Sequence, residues 1–162
     1  MLGRLLLEIA ARAAALSRRP WHLLAGGADA ADIAGRLVAD APANLTIEPA
    51  RPDYRELLAG AACSVSLCGY NTAVELARCP TPALLVPSEE AGETEQLLRA
   101  RRLAEHEGFA LMRMETLTPG GLADAAERLA ARPRRPLVPL AGDEGAGAIH
   151  KLAEIAAAKA PA

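Results

Sequence analysis

Aromatic side chains are nearly absent from this chain: Trp21, Tyr54, Tyr70 and Phe109 are the only four among 162 residues. A core must therefore be assembled from Ala, Leu, Val and Ile. So few rings also leave little on which single-stranded nucleic acid could stack its bases. Lysine is confined to Lys151 and Lys159, the net charge is −2 and no dense basic stripe occurs, so no nucleic-acid partner is expected. The short run Arg132, Arg134, Arg135 is broken by prolines and reads as a solvated linker. Cys63, Cys68 and Cys79 are odd in number and lack Cys-x-x-Cys spacing, and His22, His106 and His150 lie far from one another. Neither a zinc site nor a disulfide framework is expected, and the thiols read as small apolar groups in a reducing cytoplasm. No apolar run reaches the roughly 20 residues of a membrane-spanning helix. The first sixteen residues are apolar, yet Arg4, Glu8 and Arg12 recur every four residues along one helical face, unlike a signal peptide. The dinucleotide fingerprint G-x-G-x-x-G, the Walker P-loop and the hydrolase elbow G-x-S-x-G are also missing.

What is present is a regular alternation. Apolar residues are 51% and charged residues 23%, the balance of a globular chain, and the length suits one domain over residues 1–162. Leu5, Leu6, Ile9, Ala13 and Leu16 repeat at helical spacing and predict a helix over 3–17. Short apolar runs predict strands at 21–25, 45–48, 63–67, 83–86 and 109–112. Between them lie predicted helices at 31–39, from Asp53 onward, at 72–79 and at 93–107. Asp53 and Glu56 have capping-box spacing. Thr118-Pro119 supplies an N-cap and an N1 proline for a helix carrying Leu122, Ala125, Ala126 and Leu129, and a terminal helix is expected over 146–158. Strands alternating with helices imply an α/β fold: a Rossmann-like parallel sheet with helices on both faces.

The polar residues of interest gather where strands end, which is where open α/β sheets bind ligands. Gly69 permits a sharp turn, and Asn71 and Thr72 follow it at a helix start, where unpaired N–H groups and the helix dipole attract an anion such as a diphosphate. An ordinary strand-to-helix turn with an Asn cap uses the same residues. Glu75, one turn in, could accept two hydrogen bonds from vicinal hydroxyls, or could simply be a solvated first-turn carboxylate. Glu95 and Gln96 open the next helix after an acidic loop. An acid–amide pair both donates and accepts, as sugar hydroxyls require, and it is equally at home on an exposed first turn. Gly26-Gly27 ends a strand and could let a ligand approach the backbone closely.

In combination these pieces have a recognisable order. Gly69-Tyr70-Asn71-Thr72, Glu75, Pro80, Leu85-Val86-Pro87, Glu93-x-Glu95-Gln96, Arg99-Ala100 and Leu103-Ala104 resemble the donor-binding half of family 28 glycosyltransferases. They resemble most closely a bacterial group with GYNT and E-T-E-Q-x-x-R-A strings. The resemblance implies the C-terminal half of a GT-B fold, two Rossmann-like domains facing a cleft, with a UDP-sugar on this half. It implies that the Gly69–Thr72 turn holds the diphosphate without a metal or other cofactor, Glu75 the ribose, and Glu95 with Gln96 the sugar. The uracil would lie near Gly26, Gly27 and Glu48–Ala50.

The departures from the family pattern carry expectations too. Nothing here corresponds to the N-terminal acceptor domain, which in the family carries the catalytic base, so no catalytic residue is assigned. The family's first strand and its glycine-rich loop are also unmatched, since the chain opens in a helix. The expectation is a domain lacking a central strand, marginally stable or completed by a partner chain or a missing N-terminal half. A UDP-sugar 2-epimerase-like isomerase domain and a non-catalytic binding or assembly module share the fold and stay open as alternatives.

Overall fold

The computed structural model describes residues 2–89 and 94–139. Glu93 and the expected helix at 146–158 lie outside the described residues. Helix α1 (Leu2–Ala14) leads into β1 (Trp21–Ala25), α2 (Ala30–Val38), β2 (Leu45–Pro49), α3 (Tyr54–Gly60) and β3 (Ser64–Ser66). Then follow α4 (Tyr70–Ala77), β4 (Ala83–Leu85), α5 (Thr94–Ala104), β5 (Phe109–Leu111), a 3-10 turn at Met114–Thr116 and α6 (Pro119–Ala130). The predicted strands and helices are all present within the described residues, with ends shifted by a few positions; the 3-10 turn was not foreseen.

All pairing is parallel, as expected, but the strands form two ladders rather than one. β1 pairs with β2, Trp21 opposite Leu45, and β3–β4–β5 form a separate sheet with Ser64 opposite Ala83 and Ala83 opposite Phe109. Trp21 N–H donates to the Asn44 carbonyl, and strand alternation then directs the backbone N–H and C=O groups of Trp21, Leu23 and Ala25 toward β2 and those of His22 and Leu24 away from it. Ser64 N–H donates to the Pro82 carbonyl, so Ser64 and Ser66 address β4 while Val65 addresses the open side. Among the described residues no strand pairs with those outer edges of β1 and β3.

Side chains join what the backbones do not. Leu6, Ala10 and Ala13 of α1 pack with Leu23 of β1, with Leu84 and Val86, and with Leu122, Ala125 and Leu129 of α6. On the opposite face Ala73, Leu76 and Ala77 of α4 and Ala100 and Leu103 of α5 cover Ala83, Leu85 and Phe109. β4 is thus buried on both sides, its residues alternating between two cores, as a central parallel strand requires. Asn44 closes the end of α1: its Nδ2 donates to the carbonyls of Ala14, Ser17 and Arg19 at 2.9, 3.0 and 2.8 Å.

Two local expectations are corrected. Asp53 precedes α3, but its side chain caps nothing; both its oxygens are taken by Arg51, at 2.6 and 2.7 Å. A guanidinium two residues away supplies a stronger, charge-assisted pair than a backbone N–H does. The arginines at 134 and 135 are not a solvated linker. Arg135 is only 4% exposed, lies 3.9 Å from the Phe109 ring centroid, and donates to the carbonyls of Thr81, Leu76 and Pro136. Arg134 donates to Thr81 Oγ1 and to the Ala59 carbonyl. The two guanidiniums thus end on carbonyls of α3, α4 and the loop before β4.

Candidate functional site

Helix α4 begins at the carboxyl end of β3. Gly69 is its N-cap, with φ −60° and ψ 160°, and the first helical bond runs from Ala73 N–H to the Gly69 carbonyl at 2.9 Å. Any residue can adopt that backbone, and a Cβ on Gly69 would meet nothing within 4 Å. The sharp turn expected of this glycine is therefore not what it supplies. It leaves the helix start uncovered: no side chain caps it, and among the described residues nothing bonds the N–H groups of Asn71 and Thr72.

Beside that start lies a hollow of about 550 Å³. Tyr54 and Arg55 line it from the beginning of α3, and Tyr70, Asn71, Val74, Glu75 and Arg78 line it along one face of α4. Both helices start where a strand has just ended, so the hollow sits at the carboxyl side of the ladders. Glu75 is the carboxylate in it. Its Oε1 accepts from Arg55 Nη2 at 2.5 Å, with Glu75 20% and Arg55 70% exposed. The Glu75 carboxylate, and secondarily Tyr54, hold Arg55 still more firmly protonated than usual.

The start of α5 converges on the same turn. Gln96 Oε1 accepts from Ser88 N–H at 3.1 Å, tying α5 to the end of β4. Arg99 Nη1 donates to the Cys68 carbonyl at 2.7 Å, and its guanidinium carbon lies 5.9 Å from the Tyr70 ring centroid. Glu95 is 75% exposed and approaches Arg99 Nη2 at 3.7 Å. Gly26 and Gly27 are at the end of the other ladder, exposed, and do not line the hollow; Gly27 has φ +95°, the left-handed backbone that favours glycine. Glu48 pairs with His22 at 2.6 Å and Arg51 at 3.0 Å, and Arg51 first and His22 second hold its carboxyl below the usual range.

Of the residues singled out from sequence, Gly69, Tyr70, Asn71, Thr72 and Glu75 thus share one turn and helix. Gln96 is bonded instead to Ser88 after β4 and does not line the hollow, and Glu95 is largely exposed. Sequence reasoning missed Tyr54, Arg55 and Arg78 as lining residues. The available signal was that Tyr54-Arg55 opens a helix directly after a strand, the same setting that drew attention to Asn71.

Residues 25–156 match the glycosyltransferase family 28 C-terminal domain. The chain belongs to that family. Two relatives are the UDP-N-acetylglucosamine–N-acetylmuramyl-(pentapeptide) pyrophosphoryl-undecaprenol N-acetylglucosamine transferases of Rhodopseudomonas palustris strains BisA53 and BisB18, 33% and 32% identical over 115 residues. Each match takes in 69% of this chain and 31% of the relative, so the chain aligns with about a third of those proteins. The crystal structure of Acinetobacter baumannii MurG superposes with a TM-score of 0.65 at 21% identity, over 94% of this chain and 45% of that one. The family 28 chain therefore has the Rossmann-like α/β fold of one half of a GT-B protein. Among its described residues no helix is long and apolar enough to cross a membrane.

Proposed function

We propose that this family 28 domain binds a UDP-sugar donor for glycosyl transfer. The observation that carries the reading is the uncapped start of α4 opening beside a hollow lined by Tyr70, Asn71 and Glu75. The N–H groups of Asn71 and Thr72 and the helix dipole receive the diphosphate, and Gly69 keeps its approach clear. Glu75 exchanges its partner Arg55 for the ribose hydroxyls. Such an exchange is cheap, because an ion pair with so exposed a guanidinium contributes little. Gln96 and Glu95 face the sugar, and the base lies toward Gly26, Gly27 and Glu48–Ala50. The names of the Rhodopseudomonas relatives, which specify UDP-N-acetylglucosamine, support a nucleotide-sugar of this kind.

The transfer itself is inverting and needs no metal in this reading. An acceptor hydroxyl attacks C1 of the hexosyl group, its proton passes to a base, and the bond from C1 to the diphosphate oxygen breaks. Fixed N–H dipoles stabilise the charge that develops on departing UDP. The base and the acceptor site belong to a separate domain or partner chain, which accords with the limited share of each relative that this chain matches. Calorimetric titration with UDP, with AMP and NAD as controls, tests the donor site. UDP-selective binding is expected, weakened about 10- to 100-fold in Glu75→Ala, the worth of hydrogen bonds to a charged acceptor. Arg55→Ala should bind UDP at least as well as the parent. A folded chain that ignores UDP overturns the proposal.

A further inference from the structure

We propose that Arg99 is a positioning residue for the anionic end of the ligand, which it serves by clamping the β3–α4 turn and placing a fixed positive charge behind it. The inference rests on the donor-binding reading above.

Two arginines in this fold, Arg135 buried and Arg99 largely enclosed, make an informative contrast. Arg135 spreads its donors over three backbone carbonyls and lays its face on Phe109, a fully occupied structural clip. Arg99 is nearly as enclosed, its side chain 11% exposed, but much less satisfied. Nη1 has the Cys68 carbonyl, Nη2 has only a long approach to the solvent-exposed Glu95, and Nε is buried with no partner among the described residues. A largely enclosed guanidinium so sparsely paired keeps a positive potential that is only partly compensated, and in a poorly screened setting that potential reaches further than it would at the surface.

That potential is placed where it can act. Cys68 immediately precedes the N-cap Gly69 and Tyr70 immediately follows it, and Arg99 contacts both. The residues on either side of the uncovered glycine are therefore held from one point on α5, which fixes the direction of the Asn71 and Thr72 N–H groups. The charge adds to the positive end of the α4 dipole rather than opposing it. Arg55, by contrast, is paired with the Glu75 carboxylate and leaves the helix start to Arg99.

The test is titration of the full chain and two variants with UDP and with uridine, which lacks the phosphates. Arg99→Gln keeps an amide donor for the Cys68 carbonyl and removes the charge; Arg99→Lys keeps the charge and loses the planar fork. UDP affinity should fall about tenfold in Arg99→Gln and about threefold in Arg99→Lys, while uridine affinity changes less than about twofold in either, since removing one charge–charge interaction is worth on the order of one decade. Parallel losses for UDP and uridine would reduce Arg99 to a scaffold residue and overturn the inference, as would unchanged UDP binding in Arg99→Gln. If Arg99→Gln does not fold, Arg99→Lys decides by the same UDP-to-uridine ratio. Failure of the unmutated chain to bind UDP removes the donor reading first and this inference with it, so the two failures are told apart.

Discussion

Cys68 shows how little of a residue's chemistry its type reveals. It is fully buried beneath the β3–α4 turn, and burial pushes its thiol from an ordinary 9.0 up to about 11, against a weaker opposing pull from Arg99. The native chain thus keeps this proton through a pH range in which the unfolded chain has lost it. Stability contributed by the protonated thiol is intact below pH 9 and declines as pH rises toward 11, by roughly 2–3 kcal/mol. Denaturant midpoints measured at pH 8, 9.5 and 11 should trace that decline, and Cys68→Ala should flatten it. A decline of equal size in the variant would assign the effect to other groups. The same burial makes Cys68 a poor nucleophile, which leaves it a packing residue as its sequence context implied.

At the scale of elements, the segment after α6 is held by Arg135, and the held position makes a demand on the chain elsewhere. Gly108, just before β5, has φ +78°, and a Cβ there would stand 2.7 Å from the Cβ of Arg135. The turn into β5 and the Arg135 clip are therefore one unit. Arg135→Ala would leave the Thr81 carbonyl without its donor, remove one of the donors to the Leu76 carbonyl and strip the face of Phe109. The expected loss is about 2–4 kcal/mol in chemical denaturation, the usual result of breaking a buried charged network. A loss below about 0.5 kcal/mol, the range of ordinary surface substitutions, would refute the clip. Nothing in the pattern of prolines and arginines distinguished such a clip from a solvated linker, because the carbonyls it serves lie in α4 and in the loop before β4, far away in sequence.

Across the whole molecule, two parallel ladders share one apolar core but no backbone bonds. Parallel sheets are ordinarily buried and continuous, and exposed strand edges invite pairing. Amide exchange should read this directly. The N–H groups of Leu24 and Val65, on the outer edges of β1 and β3, should exchange well ahead of those of Leu23 and Ser66, which face into their ladders. Equal protection would mean that a further strand, from elsewhere in the polypeptide or a second copy, pairs with these edges in solution. Size-exclusion measurements on the same sample separate those two sources.

The order of strands and helices followed from the sequence by itself, since side-chain periodicity and turn chemistry are local and survive any rearrangement of distant parts. So did the turn at Gly69–Thr72 and the family it resembles, because those residues are contiguous. The tertiary structure alone decided which charges meet: Glu75 with Arg55, Asp53 with Arg51 instead of its own helix, Arg99 with the Cys68 carbonyl. It also decided that the strands pair as two ladders, not one sheet. Periodicity tells a side chain which face it belongs to, but a long cation chooses its partner through space, and strand pairing depends on which backbone edges are brought within hydrogen-bonding reach.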